Sequence, residues 1–531
     1  MLKSSGALAA ATMTSRVLGM LREMVYARFM GDGWVAGAFV LAFMVPNLFR
    51  RLLGEGALAA AFIPVFKEKE RLAGDKEMWR MANAVICGLL VLTAGLVVLG
   101  MAGVSLLLAV GDFQGRGQTL LMLQLLRVMF PYVLLVCLAA IFMGMLNARN
   151  HFFVPAMGAT MLNIVMIASV FWLAPRLGLE LHEQIFGLAI GVLLAGLIQA
   201  GFQWPLLRRE GFRFQWVTPW KDETVRRVAV QMVPGIVGVA AYQINILLTQ
   251  GLAFWLDSPG SPIIASFNYA VRLMELPQGV FGVSLATYLL PTLAGLAAAK
   301  DFPKFRATLK QGLGYLVFVN LLASVLLMVL AEPMIRLLFE RGKFEADATV
   351  RAAQALAFLA PGLVAFSAVN ILVRAFFALG DTKTPMKISI LCLGLNVLFA
   401  AGLMIHFRQR GLALANTLSA CINVTLLAYA LRRTMPKLDF SELRVHLCSL
   451  LGATVAAGVM AWGLMGWWET HLGHANVGLK LGAVFAPALA ASALYFAVAR
   501  WRRVPAAEEA MALVASQLKR RTGAGRREEE E

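Results

Sequence analysis

The chain has 531 residues, 60% of them hydrophobic and only 15% charged, with a mean hydropathy of +0.73. Soluble domains carry nearer a quarter charged residues, so this composition excludes an ordinary soluble enzyme or binding module and describes an all-α polytopic membrane protein. The net charge of +18 sits in basic clusters between apolar runs, a topology and anionic-lipid signal that speaks against nucleic acid.

The first apolar run, residues 4–30, has membrane length but contains Arg16, Arg22 and Glu23. Lys3 precedes it as in a secretory signal, yet no small-residue cleavage site follows and Arg16 interrupts the core, which predicts a retained helix. At ~1.5 Å per residue Arg16 falls about 18 Å along it, near the bilayer midplane. An arginine there costs roughly 2.5–3.5 kcal/mol on the mildest insertion scale, so it faces a wet cavity or a partner. Arg22 lies nearer the outer face, where snorkelling competes with a functional role. Glu23, seven residues after Arg16 on the same stripe, reads as the carboxylate that holds it.

Residues 34–53 form the second segment and close on Arg50, Arg51 and Glu55. Arg51 reads as an interface anchor. Pro46, Gly54 and Gly56 weaken the helix and suit one that bends during transport. Uncharged membrane-length runs follow at 81–111, 128–148, 152–175, 184–207 and 228–256. Residues 262–293 again carry ionic groups: Arg272, about 15 Å into its helix, and Glu275 three residues on. Six more runs, 311–331, 352–373, 388–407, 411–431, 447–468 and 481–499, bring the expected count to fourteen transmembrane helices.

Basic residues gather in alternate connections: Lys67 to Arg80, Arg208 to Arg227, Lys300 to Lys310, Arg432 to Lys437, and the tail from Arg500 to Arg527. The positive-inside rule then places both termini in the cytoplasm. The connection holding Arg336, Arg341, Lys343 and Arg351 dissents from that parity, partly offset by Glu332, Glu340, Glu345 and Asp347. Arg149 and Arg374 read as topology anchors at cytoplasmic helix ends.

Spacing points to a duplication. Pro131 and Pro155 are 24 residues apart around an apolar helix and a polar turn, as are Pro361 and Pro385. Gly187 precedes Arg208 by 21 residues, and Gly411 precedes Arg432 by 21. Each half holds six helices, an even number, so the repeats are parallel, and secondary transporters bind substrate near the midplane between such halves. The expected organisation is a six-helix lobe over 1–210, an amphipathic linker over 211–224, a second lobe over 225–436, two additional helices within 437–503 and a charged cytoplasmic tail over 504–531.

Catalytic motifs are absent. No GxxxxGK[ST] loop occurs, and His182-Glu183 is not continued as HExxH. His471 and His474 read as surface residues, and the five cysteines as small buried hydrophobes without metal spacing.

The runs TSRVLGMLREMVYARFMG, AFVLAFMVPNLFRRLLGEGALAAAFIPVF, NYAVRLMELPQGVFGVSLATYLLPTLA and GDTKTPMK resemble, in order and over essentially the whole chain, the MurJ/MviN family of lipid II flippases within the multidrug/oligosaccharidyl-lipid/polysaccharide exporter superfamily. The resemblance implies a bacterial inner-membrane protein, not an enzyme, that moves undecaprenyl-diphosphate-linked disaccharide-pentapeptide outward for peptidoglycan synthesis. It puts the family's required arginines on Arg16, Arg22 and Arg272, with Arg50 as a further cavity residue; Glu23, Glu55 and Glu275 are the supporting carboxylates. It also implies a prenyl-tail groove on the last two helices, membrane lipids as surroundings and an association with the cell-wall synthesis machinery. Two departures stand out: some relatives carry acids where this chain has Gly37 and Val271, which makes its cavity the more positive one. Sodium, bound by some relatives, is disfavoured because Asn245, Asn396 and Thr417 include no carboxylate; no other cofactor is expected, and the membrane potential is the expected driving force. Flipping of another polyprenyl-linked glycan, export of an amphipathic anion, and a membrane enzyme acting on a lipid diphosphate remain as alternatives.

Overall fold

The computed structural model describes residues 2–54, 57–257, 262–439 and 441–508. Every regular element among them is helical, as apolar segments in lipid require, since a helix satisfies its backbone groups internally. By contacts the chain forms two compact units, residues 1–265 with 341–345, and residues 266–340 with 346–531.

The first unit contains α1 (Leu2–Met30), α2 (Trp34–Phe49), α3 (Ala57–Val110), α4 (Gly117–Met129), α5 (Tyr132–Ala148), α6 (Phe153–Ala168), α7 (Leu181–Gly201), the short α8 (Trp204–Arg209) and α9 (Glu223–Trp255). Gly74 breaks α3 with φ +78° and ψ 175°, a conformation essentially confined to glycine. α9, which the repeat assigns to the second lobe, packs against α3 and α2. The α1 helix lies on α6, where Asn163 Nδ2 donates to the Ser15 carbonyl at 3.1 Å and Gly19, one turn on, faces the same amide.

The second unit contains α10 (Ile264–Pro277, starting within the first), α11 (Ser284–Ala298), α12 (Phe302–Val329), α13 (Ala331–Phe339), α14 (Ala346–Leu359), α15 (Gly362–Ala378), α16 (Lys383–Thr434), α17 (Ser441–His471) and α18 (Val477–Trp501). Leu450, Ala453, Ala457 and Ala461 of α17 are buried at helical spacing, and α17 packs on both α12 and α18. Small residues on one stripe let helix backbones approach closely where no hydrophobic effect drives association. Tyr495 of α18, fully buried, donates its hydroxyl to the Phe318 carbonyl of α12 at 2.8 Å. The two additional helices are thus fastened to the second unit. Of the expected tail, residues 509–531 lie outside the described ones.

Nine helices among the described residues are long and apolar enough to cross a membrane, or up to eleven if each bent pair is one span. The expected fourteen are not reached by this measure for identifiable reasons. α16 spans two expected segments, 388–407 and 411–431, joined at Arg408, whose φ of 52° is non-helical. α1, with its arginines, is not among the nine, nor is α9.

Prolines mark the breaks. Pro131 sits where α4 and α5 bend by 42°, and Pro361 where α14 and α15 bend by 47°; each ring removes an N–H and crowds the preceding turn. Pro46 is followed by a widened π turn at Arg50–Gly54, and Pro277 by another at Gln278–Val283. Both pairs of features recur at an offset of about 230 residues, the offset of the suspected repeat.

The dissenting basic loop is also accounted for. Arg336 bonds Glu332 at 2.5 Å and Glu469 at 2.6 Å, with Glu340 at 3.6 Å. Lys480 pairs with Glu340 at 3.2 Å, and His474 Nδ1 lies 2.8 Å from Glu469. These charges fasten α13 to the α17–α18 hairpin, so Arg336 is a structural cation and a weak topology signal. The segment Arg341–Glu345 packs on α1 instead: the Lys343 N–H donates to the Arg28 carbonyl at 3.0 Å. Gly31, at φ +62°, faces this segment so closely that a Cβ would strike the Lys343 carbonyl. Gly31→Ala is expected to destabilise the protein by at least about 1–2 kcal/mol from backbone strain alone. Gly33→Ala, at φ −69° with open space around it, should leave the thermal midpoint in detergent nearly unchanged.

Candidate functional site

Ser15 and Gly19 face α6, so Arg16, about 100° further round the helix, points away from that packing. Its side chain is exposed, and among the described residues no hydrogen-bond or ion-pair partner reaches it. Arg22, one and a half turns on, is mostly buried: Nη2 lies 2.6 Å from Glu23 Oε1, with side-chain exposures of 16% and 7%. Its guanidinium also sits 5.5 Å from the centre of the Tyr26 ring, a cation–π distance. The Arg22 Nε–H is buried and donates to nothing among the described residues. Glu23 therefore serves Arg22, not Arg16 as the stripe argument expects. Seven residues separate Arg16 from Glu23 by about 10 Å along the axis, beyond the reach of a neighbouring-turn pair.

Arg50 opens the π turn of the second segment, half-buried, with Nε donating to Asn47 Oδ1 at 2.8 Å. Glu55 lies outside the described residues. On α10, Arg272 Nη1 pairs with Glu275 Oε2 at 2.9 Å, and both side chains are well exposed, 36% and 50%. Such a pair orients the guanidinium but contributes only ~0–1 kcal/mol. All four arginines carry a fixed positive charge on fork-shaped donors suited to phosphate oxygens.

No group of three or more His, Cys, Asp or Glu residues that could hold a metal occurs among the described residues. Thr417, one of the residues weighed for sodium, donates to the Phe358 carbonyl at 2.9 Å.

Several arrangements escaped the sequence reading. Arg149, read as a topology anchor, bonds Glu70 and Glu210 (3.0 Å), with Asp75 at 3.5 Å. His151 Nε2 lies 2.8 Å from the other oxygen of Glu210. This cluster joins α3 near its Gly74 break to the α5–α6 turn and the end of α8. Hydrogen bonding from His151, then from Arg149, holds the Glu210 carboxyl below its ordinary range. Arg374 donates to Thr287 Oγ1 at 2.7 Å and reaches the Val283 carbonyl at 3.4 Å, at the end of the second π turn. The Asp257 carboxylate lies against Gly37: a Cβ there would come 3.0 Å from Asp257 Oδ2. A carboxylate from another segment thus borders the position read as a missing acid.

Helices of membrane length, two of them interrupted by proline and a π turn, are the architecture of a membrane transporter. The architecture is similar to a solved "Lipid II flippase MurJ, inward closed conformation", with a TM-score of 0.73 at 22% identity over 92% of this chain and 98% of that one. It is also similar to an inward-facing MATE family transporter of the MOP superfamily, with a TM-score of 0.63 at 14% identity over 82% and 99%. At the sequence level the family model described as "Lipid II flippase MurJ" matches residues 26–478. A "Probable lipid II flippase MurJ" of Haemophilus influenzae is 34% identical over 85% of this chain and 90% of its own length. A "Lipid II flippase MurJ" of Burkholderia cenocepacia is 31% identical over 85% and 88%. The chain belongs to the MurJ family.

Two predictions follow from the pairing. Glu23→Gln removes the buried counter-charge of Arg22 and should lower stability by roughly 1–3 kcal/mol, whereas Arg16→Ala, which breaks no pair among the described residues, should leave protein level and thermal midpoint near wild type. Because the Glu210 carboxyl is held down on folding, its stabilisation is present above the ordinary value of 4.5 and is lost as pH falls through the depressed one. Thermal unfolding in detergent between pH 6 and pH 3 should therefore show an acid loss that Glu210→Gln reduces.

Proposed function

We propose that this protein moves lipid II, the undecaprenyl-diphosphate-linked peptidoglycan precursor, from the cytoplasmic to the outer leaflet of the bacterial inner membrane by alternating access. The observation that supports this reading best is the occurrence, in a chain of the MurJ family, of accessible arginines on α1 and α10. Arg16 has no partner among the described residues, Arg22 has an unused Nε donor, and Arg272 pairs with the exposed Glu275. Guanidinium forks and diphosphate oxygens form charge-assisted, bidentate hydrogen bonds. In this reading Arg16, Arg22 and Arg272 engage the diphosphate, Arg50 adds positive charge, and Glu23 and Glu275 orient their neighbours. The glycopeptide headgroup travels through water while the prenyl tail stays in lipid.

The bodies that alternate are the lobes expected from the repeat, residues 1–210 and 225–436, with both termini cytoplasmic. An interior-negative membrane favours outward movement of an anion by roughly 2.3 kcal/mol per charge per 100 mV, so neither a nucleotide nor sodium is part of this reading. The outer-leaflet product is consumed by the cell-wall synthesis machinery, the expected neighbour.

The test is transport of lipid II in vesicles at a set potential, with other prenyl diphosphates as competitors. Arg272→Ala should lower transport ten- to a hundredfold, the equivalent of losing a charged hydrogen bond of about 1.5–3 kcal/mol, while protein level is kept. Arg16→Lys keeps the charge but loses the fork, and should be clearly impaired. Wild-type transport by both variants would overturn the assignment of these residues. Equal transport of a prenyl diphosphate that lacks the glycopeptide would favour a general polyprenyl-glycan carrier.

A further inference from the structure

We propose that Asp257 is a positioning residue for the arginine helix α10, its carboxylate seated in a notch that exists because residue 37 is glycine; this rests on the assignment of Arg272 to the diphosphate. Asp257 closes the last turn of α9, its N–H donating to the Phe254 carbonyl at 3.2 Å. Its two carboxylate oxygens face different elements. Oδ1 accepts from the Ile263 N–H at 2.6 Å, immediately before α10. Oδ2 accepts from Gln118 Nε2 at 3.1 Å, in the first turn of α4.

The notch itself is on α2. A Cβ at Gly37 would come 3.0 Å from Asp257 Oδ2 and 3.1 Å from Gln118 Nε2, tighter than ordinary packing allows. Gly37 is buried inside a helix, between Ala36 and Ala38, which are fully buried. Glycine weakens a helix interior, and at this position the compensation is room for a carboxylate and its donor. Both oxygens of one ionised group are thereby used to hold the end of α9, the start of α4 and the residue before α10 against α2, all within the first unit.

The consequence lies further along α10. Ile263, Ile264 and Ala265 are buried with the first unit, and Arg272 follows Ile264 by eight residues, about 12 Å along the same helix. An uninterrupted helix carries the position and rotation of its first turn to that residue, because the π turn comes only after it, at Gln278–Val283. Asp257 therefore sets the rotation with which α10 presents Arg272, without itself touching the cargo.

The experiment measures the affinity of purified full-length protein for undecaprenyl diphosphate, alongside lipid II transport in vesicles. Asp257→Ala is expected to weaken binding about tenfold in the wild-type background and less than twofold in an Arg272→Ala background, because the two residues act in series. Asp257→Asn keeps the acceptor for the Ile263 N–H and, with the Gln118 amide turned over, the second bond as well, so it should recover most of the affinity. Gly37→Ala should weaken binding by roughly threefold, since the carboxylate has to shift by a few tenths of an ångström. A loss of the same size in both backgrounds, no loss at all, or a fall in thermal midpoint without a change in affinity would overturn the proposal. If Asp257→Ala fails to accumulate, Gly37→Ala in the two backgrounds decides by the same criterion. A wild-type protein that transports no lipid II would instead remove the functional reading, which the Asp257 variants alone leave untouched.

Discussion

An ionised guanidinium on a membrane-length helix has to be paired, wetted or carried to an interface, because leaving it in hydrocarbon costs several kcal/mol. This chain uses each solution in a different place. Arg22 is paired with Glu23 and covered by Tyr26; Arg336 is surrounded by three carboxylates; Arg149 sits at a helix end among Glu70, Asp75 and Glu210. Buried ion pairs are poor sources of stability but strict about geometry, since removing one partner strands the other. Arg336 and Arg149 therefore hold separate elements together, whereas Arg22 is satisfied within α1. Arg16, which no partner among the described residues reaches, is left for water or an anion to solvate, and Arg272 is part-exposed beside Glu275.

The second constraint is the backbone. Every proline inside a helix removes one donor and frees a carbonyl, and in lipid that carbonyl needs a substitute. Pro46 and Pro277 are each followed by a π turn, and near the second the Arg374 side chain supplies donors to Thr287 and the Val283 carbonyl. A topology-type arginine thus doubles as a backbone partner at a weakened point. Because a π turn lacks the tight i→i+4 ladder, it is where a long helix bends at least cost, and both lie on the helices that carry Arg50 and Arg272.

Composition and hydropathy made the class and the long segments legible, and proline spacing made the internal repeat legible, since these are local or periodic properties of the chain. The candidate arginines were legible as well, because an isolated charge in an apolar run stands out. Their partners were not. The expectation that Glu23 holds Arg16 relied on a shared helical stripe, but a seven-residue interval is too long for direct contact, and the neighbouring Arg22 competes for the same carboxylate. Glu469 for Arg336, Glu210 for Arg149 and Asp257 for Gly37 are joined over 133, 61 and 220 residues of sequence, and nothing periodic connects them. The two expected segments 388–407 and 411–431 meet at Arg408, where a non-helical residue kinks α16 into two helical stretches. Gly37, read as a lost acid, has another carboxylate, Asp257, beside it, a neighbour that only the fold brings close.

The distribution of charge bears on the direction of transport. On the proposed reading the empty carrier holds a cation, Arg16, that no carboxylate among the described residues neutralises, and the loaded carrier has it covered by diphosphate. Outward movement then carries net negative charge away from a negative interior, and the return carries uncovered positive charge back toward it. Both half-cycles run downhill in the same field, each by roughly 2.3 kcal/mol per charge per 100 mV in proportion to the fraction of the field crossed. A carboxylate paired with Arg16 would cancel the return term and hold the cargo less firmly. On that reading the pairing of Glu23 with Arg22, which leaves Arg16 open, is the feature that would couple binding to the membrane potential.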